Sequence, residues 1–289
     1  MVINLLARFF YFLIGITPIP LLKIWENFAY FIAKYLLRYR KNVVRKNLEL
    51  AFPNQSEKYY REIENDFYRY FVLNFVEMAK TGSLTTSQLK SLVNFSNLEE
   101  IKRFLDEGKS IILAFGHHNN WVWPMIVSEL IDVPVYMVYQ KLSNNHIDSW
   151  LRNNHCAPKV TYIEKKSTTR YFLKASKEKI PSIFMIVADQ SPSADKGIYW
   201  ADFFNIKTPF YRGLEFFGTK FNMPVFFDET LQTERYHYDN TLYLLYDGSE
   251  LVEEGDITQR FANALEKAIR KQAGNYLWSH RRWKKVTEY

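Results

Sequence analysis

From residue 110 onward, short apolar runs alternate with amphipathic stretches, and this alternation constrains the fold more than any other feature of the chain. Residues 110–115, 133–140, 160–163, 182–189, 223–231 and 241–246 are rich in β-branched, aromatic and aliphatic side chains and read as strands. Between them, residues 121–131, 145–153, 168–179 and 209–220 read as helices. Pro124 fits a helical first turn, where a missing N–H does no harm. A strongly amphipathic helix over 257–272 follows the last strand. Strands separated by helices build a largely parallel α/β sheet with right-handed crossovers. The 289 residues suffice for a sizeable core, and no linker divides residues 84–289.

The part before residue 84 differs in character. Residues 9–22 carry no charge, but Pro18 and Pro20 interrupt them, and a spanning helix needs about 20 apolar residues. After the prolines, Lys23, Glu26 and Lys34 fall near one helical face and most aromatic residues fall elsewhere, which predicts an amphipathic helix. The basic run 38–47 follows, and an apolar segment beside it suits an anchor held against anionic headgroups on a cytoplasmic face. A buried N-terminal helix pair is the competing expectation. Residues 47–80 read as helical, with a start signal at 54–57. Residues 84–105 read as a connecting helix-and-strand segment.

The chemistry concentrates where two apolar runs end. The first delivers His117 and His118, then Asn119, Asn120 and Trp121; the second delivers Asp189 and Gln190. In open α/β sheets ligands bind beyond the carboxyl ends of strands, so parallel, neighbouring strands would bring these groups to one edge. His117 is the candidate general base, against the plainer expectation that both histidines cap a helix or satisfy a loop. Asn144, Arg152 and a loop over 191–212 ending in Arg212 are the further polar candidates; the arginines suit a phosphate or carboxylate. The run 276–285 mixes aromatic and cationic residues, suiting a headgroup or a solvated tail with its rings on the core. Nucleic acid is disfavoured, because no continuous basic stripe runs along the chain.

Composition narrows the classes further. The aromatic share is 17% and the net charge +7, which suit lipid contact and an anionic partner. A lone Cys156 excludes intramolecular disulfides and multi-cysteine zinc sites. His117, His118, His146 and His155 lie in one region, but without His-x3-His spacing on a predicted helix face, so no metal site is expected. No phosphate-binding glycine loop or Gly-x-Ser-x-Gly elbow occurs.

Five segments, in order, resemble those of the bacterial lipid A biosynthesis (lauroyl or myristoyl) acyltransferases and related lysophospholipid acyltransferases. They are RKNVVRKNLELAFPNQS, GHHNNWVW, VYQKLSNNHIDSWLR, ADQSP with FFNIKTPFYRG, and YLWSHRRWK. The resemblance implies a glycerolphosphate-acyltransferase-like, mostly parallel sheet flanked by helices, with an N-terminal apolar membrane-anchoring helix. It divides the chain into an anchor and basic juxtamembrane segment, 1–46, and an acyltransferase-like domain, 47–289. It further implies an enzyme of lipid A, lipopolysaccharide or phospholipid metabolism at the cytoplasmic face of the bacterial inner membrane. Such an enzyme moves a fatty acyl chain from an acyl carrier protein or coenzyme A thioester to a hydroxyl of a lipid A precursor or related lysolipid, without a bound cofactor. His118, Asn120, Trp121, Asn144, Arg152, Gln190, Thr208 and Arg212 are the expected substrate-binding residues.

The family's motif sets an acid five positions after the base, where this chain has Val122. Shifting the register to His118 places Trp123 there; neither side chain accepts a hydrogen bond from imidazole. Three consequences are open. Asp189 stands in for the acid, with Glu129 second but about 10 Å further along a helix. Alternatively the enzyme is impaired, or the chain is an inactive homologue that binds lipid or acyl chains.

Overall fold

The computed structural model describes residues 2–141, 144, 148–149, 152, 157, 159–192 and 197–288, the side chains of 2–8 excepted. A seven-stranded sheet runs β1 (Val93–Ser96), β9 (His237–Tyr246), β8 (Val225–Glu234), β2 (Ile111–Phe115), β5 (Ile183–Val187), β3 (Val135–Tyr139), β4 (Val160–Glu164). Strands β8, β2, β5, β3 and β4 are mutually parallel, while β8 and β9 form an antiparallel hairpin and β1 pairs parallel to β9. Every residue of β2 is buried. Ile112 and Ala114 enter one apolar layer; Ile111, Leu113 and Phe115 enter the other. Helices cover both faces of the strand, which is why its sequence is apolar throughout rather than alternating.

One layer is formed by α3 (Lys41–Ala51), α4 (Glu57–Thr81), α7 (Thr168–Glu178), α8 (Gly213–Phe221) and α9 (Asp256–Lys271). Ser56 caps α4 by accepting from the Tyr59 N–H at 3.2 Å, as the 54–57 signal predicts. The other layer contains α6 (Leu98–Asp106), and α5 (Thr86–Leu92) with β1 completes the 84–105 segment.

Three elements differ from the sequence expectations. Residues 121–131 hold a tight 3-10 turn, Trp123–Glu129, instead of an α-helix. The loop expected over 191–212 contains a β-hairpin, β6 (Ile198–Phe203) with β7 (Ile206–Tyr211). The helix expected from 209 therefore starts only at Gly213, because Pro209, facing Trp200 across the hairpin, belongs to a strand. The short helix expected at 145–153 falls largely outside the described residues, as do His146, His155 and Cys156.

At the N terminus α1 (Val2–Ile16) ends before the prolines, and a 3-10 turn, Ile19–Leu21, leads into α2 (Leu22–Phe31). No described helix is long and apolar enough to cross a membrane. Lys80 of α4 instead donates to the carbonyls of Gly15 (2.6 Å) and Thr17 (2.9 Å), tying the end of α1 to the body. On α2 the acid faces inward: Glu26 is buried and bonded to Arg235 and Tyr236. Phe9, Phe12, Ile24, Phe28 and Phe31 point outward, each more than half exposed.

Candidate active site

The site lies at the carboxyl edge of β2, β5, β3 and β4. Strands β2 and β5 are neighbours in exact step, Phe115 opposite Val187, so the residues that follow each strand meet. The turn after β2 passes under α9 so closely that a Cβ on Gly116 would stand 2.6 Å from Leu265.

Asp189 meets His117 twice. Its Oδ1 lies 2.7 Å from the ring Nδ1, and its Oδ2 accepts the His117 backbone N–H at 3.1 Å. Asp189 is buried. Burial by itself would raise its pKa, but the charge and hydrogen bonds of His117, with Arg282 further off, outweigh it and hold the carboxyl at about 2. An ionised carboxylate only accepts, so in the neutral form of the ring Nδ1 carries the proton and Nε2 the lone pair. Trp121 packs edge-to-face with the imidazole, with ring centroids 5.0 Å apart. The Gln190 amide nitrogen lies 3.2 Å from Nε2.

His117, Trp121, Arg152 and Gln190 open on a cavity of about 950 Å³. Its apolar lining includes Val122, Met125, Met137, Tyr162 and Phe217. Lys165 and Lys284 supply positive charge, and Lys165 Nζ sits 3.2 Å from the centroid of Tyr211. Arg152 pairs with Asp148 at 3.0 Å.

The other expected binding residues are placed elsewhere. His118 is buried, with Nε2 3.2 Å from the Gln272 carbonyl; burial lowers its pKa to about 4, against the opposing pull of that carbonyl, so it stays neutral. Asn120 donates to Glu77 at 2.8 Å and accepts the backbone N–H groups of Val122 and Trp123, capping the 3-10 turn. Thr208 is buried and accepts from the Trp283 indole at 2.8 Å. Arg212 pairs with Glu254 at 3.0 Å and stacks on Tyr199, outside the cavity lining. Asn144 accepts the Asp148 N–H on its carbonyl and is not among the lining residues. Glu129, at its end of the 3-10 turn, lies 3.4 Å from the Lys159 N–H and also lines no part of the cavity.

Sequence reasoning did not find the groups that hold the loop. Tyr70 donates toward the carbonyls of His117 (3.2 Å) and Asn119 (3.1 Å). Residues 117–119 are clasped by the C-terminal segment: Leu277 N–H donates to His117 O, and Asn119 N–H to Asn275 O. Tyr70, Asn74 and Glu77 recur at helical spacing on the buried face of α4, a polar stripe where apolar residues belong, and that stripe was the available signal. His280 also lines the cavity, accepting the Ser191 N–H at 3.0 Å. Trp278 and Trp283 are fully buried and Arg282 nearly so, which places the rings of the 276–285 run in the core. Among the described residues no cluster of three or more His, Cys, Asp or Glu side chains is arranged to hold a metal ion.

The family model described as bacterial lipid A biosynthesis acyltransferase matches residues 1–285. The chain belongs to this acyltransferase family. A search of curated proteins finds no match. Among solved structures, the 1-acyl-sn-glycerophosphate (LPA) acyltransferase PlsC from Thermotoga maritima is similar, with 12% identity and a TM-score of 0.38. That alignment covers 88% of this chain and 96% of that one. Family membership makes acyl transfer to a lipid the chemistry against which this site is read.

Proposed function

We propose that this chain is a membrane-associated acyltransferase that moves a fatty acyl group from a thioester to a hydroxyl of a lipid A precursor or related lysolipid. The observation that carries the reading is the 2.7 Å contact between the Asp189 carboxylate and His117 Nδ1. It supplies from β5 the orienting acid that Val122 cannot supply from the turn after β2.

With Nδ1–H held by Asp189, His117 Nε2 takes the proton of the acceptor hydroxyl as its oxygen attacks the thioester carbonyl. The imidazolium that forms faces the carboxylate. The tetrahedral adduct then expels sulfur, which receives the proton from Nε2, leaving an ester and a free thiol. The apolar walls formed by Trp121, Val122, Met125, Met137 and Tyr162 suit an acyl chain. Arg152, Lys165 and Lys284 suit a phosphorylated acceptor or donor arm. The donor is an acyl carrier protein or coenzyme A thioester, and the +7 charge favours the acidic carrier protein.

The exposed aromatic and aliphatic side chains of α1 and α2 fit an in-plane seat on the cytoplasmic face of the bacterial inner membrane. The deciding assay supplies a radiolabelled acyl carrier protein thioester with a lipid A precursor or a lysophospholipid. The native chain is expected to turn over and His117→Ala to lose turnover. A native chain that binds acyl chains but transfers none to either acceptor overturns the proposal.

A further inference from the structure

We propose that Gln190 is a removable cap on the catalytic base, holding the Nε2 lone pair of His117 until an acceptor hydroxyl displaces it. The inference rests on the acyl-transfer reading for the identity of what displaces the cap, though not for the cap itself.

The argument starts from the protons. Asp189 accepts at Nδ1, so in the neutral ring, the form that can act as a base, Nε2 can only accept, and the group 3.2 Å away is the Gln190 amide nitrogen, a donor. With the amide turned the other way, its carbonyl oxygen would face a lone pair, and the contact would repel. The amide thus occupies the atom that must receive the acceptor's proton. A hydroxyl cannot share that lone pair in hydrogen-bonding geometry while the amide stays.

The surroundings allow the side chain to leave without the backbone following. On one side Asp189 is fixed by two bonds to His117; on the other, the Ser191 N–H is held by His280. Gln190 itself is exposed to the cavity. The backbone of the three-residue segment is pinned at both ends and the side chain between the pins swings into open space. Trp121 packs edge-to-face with the imidazole and Asp189 occupies Nδ1, so Nε2 is where an incoming hydroxyl engages the ring.

Two readouts on the full-length chain in detergent test this. The first needs no turnover: ¹⁵N-histidine labelling follows the Nε2 resonance of His117 at about pH 8.5, where histidines are ordinarily neutral. Gln190→Ala should move it toward the position of an unbonded imine nitrogen, and Gln190→Asn, too short to reach, should behave the same way. An unchanged resonance in both variants overturns the cap. The second readout is kinetic. Acceptor binding no longer breaks a hydrogen bond in Gln190→Ala, so its KM for acceptor should fall roughly threefold to tenfold and kcat/KM should rise accordingly. A fall in kcat at unchanged KM would instead make Gln190 a transition-state contact and overturn the proposal. A native chain that transfers no acyl group would sink the acyl-transfer reading, while the resonance would still decide the cap.

Discussion

His117 and His118 are adjacent in sequence and leave the same strand, yet they stand in two different regions. His117 faces a cavity and is bound to an ionised carboxylate. His118 is buried beneath the C-terminal segment, bound to a backbone carbonyl and held neutral. Alternating direction along the turn separates them, and their partners then give them different chemistry. A carboxylate can stabilise an imidazolium as it forms; a carbonyl in a dry environment offers far less. Asn119 and Asn120 extend the buried region, anchoring the turn to Thr230, Gln272, Asn275 and Glu77. On the proposed acyl-transfer reading, one region changes its charge during the reaction, while the bonds of the other keep the turn still.

The largest expected effect comes from making the first region resemble the second. Asp189→Asn keeps the shape but removes the charge, so the imidazolium loses its partner and the ring its fixed tautomer. Acyl transfer should fall by a factor on the order of 10⁴ in kcat. Thermal unfolding of the same variant should show that the fold persists. A loss below tenfold would mean that another group orients His117.

Acid separates the two regions next. His118 has a folded-state pKa of about 4 against an ordinary 6.5, so between those values the unfolded chain binds more protons. Its stabilising contribution is complete above pH 6.5 and is lost as pH falls to about 4, amounting to about 3 kcal/mol. His280, lowered to about 4 chiefly by burial, yields over the same window. Asp189 behaves otherwise: its contribution persists down to pH 3.8 and is lost only as pH falls to about 2. Urea titrations at pH 7, 5 and 4 should therefore show a decline that His118→Gln makes shallower. An equal slope in native and variant would remove His118 from the account.

Asn120→Ala probes the anchoring directly. It uncaps the 3-10 turn and strips Glu77, a fully buried acid raised to about 8 by desolvation, of one of its two partners. The expected loss is about 2–3 kcal/mol of unfolding free energy, read from denaturant midpoints. A change under about 0.5 kcal/mol would show that the turn holds its shape without the cap.

What was legible in the sequence follows the range of each interaction. The strands around the site could be read from apolar runs, and the start of α4 from its cap. The adjacency of β2 and β5 could not be read, because β3 and β4 lie between them in the chain while β5 lies between β2 and β3 in the sheet. The β6–β7 hairpin was missed because Pro209 and the polar residues around it resemble loop or helix-start signals. The bond of Asn120 to Glu77 could not be read either, because that acid lies 43 positions earlier on α4. The pairing of Arg212 is equally long-range: its glutamate lies 42 positions on. Local pattern located the strand ends; long-range pairing decided which of their polar groups face the cavity.

The smallest expected effect belongs to Val122→Glu, which restores an acid at the family's motif position. In the native chain Val122 is half-buried in the cavity wall, next to Trp121 in sequence and packed with the apolar residues of the turn. The Nδ1 proton is already committed to Asp189 at 2.7 Å, so a new carboxylate finds no donor there. It places a charge against the apolar wall instead. Acyl transfer should change by less than about threefold, downward, with the loss in KM for the longest acyl donors. The double variant Asp189→Asn, Val122→Glu sharpens the comparison. If a carboxylate at 122 can reach the ring once Asp189 is neutralised, the double variant recovers part of the rate lost by Asp189→Asn. The two positions then supply one function from two strands. No recovery, with the single Val122→Glu variant still near native, would leave β5 as the one source of the acid in this fold. A tenfold or greater gain in Val122→Glu alone would show that the Asp189 contact does not serve the reaction, and that His117 works in the native chain without an orienting acid.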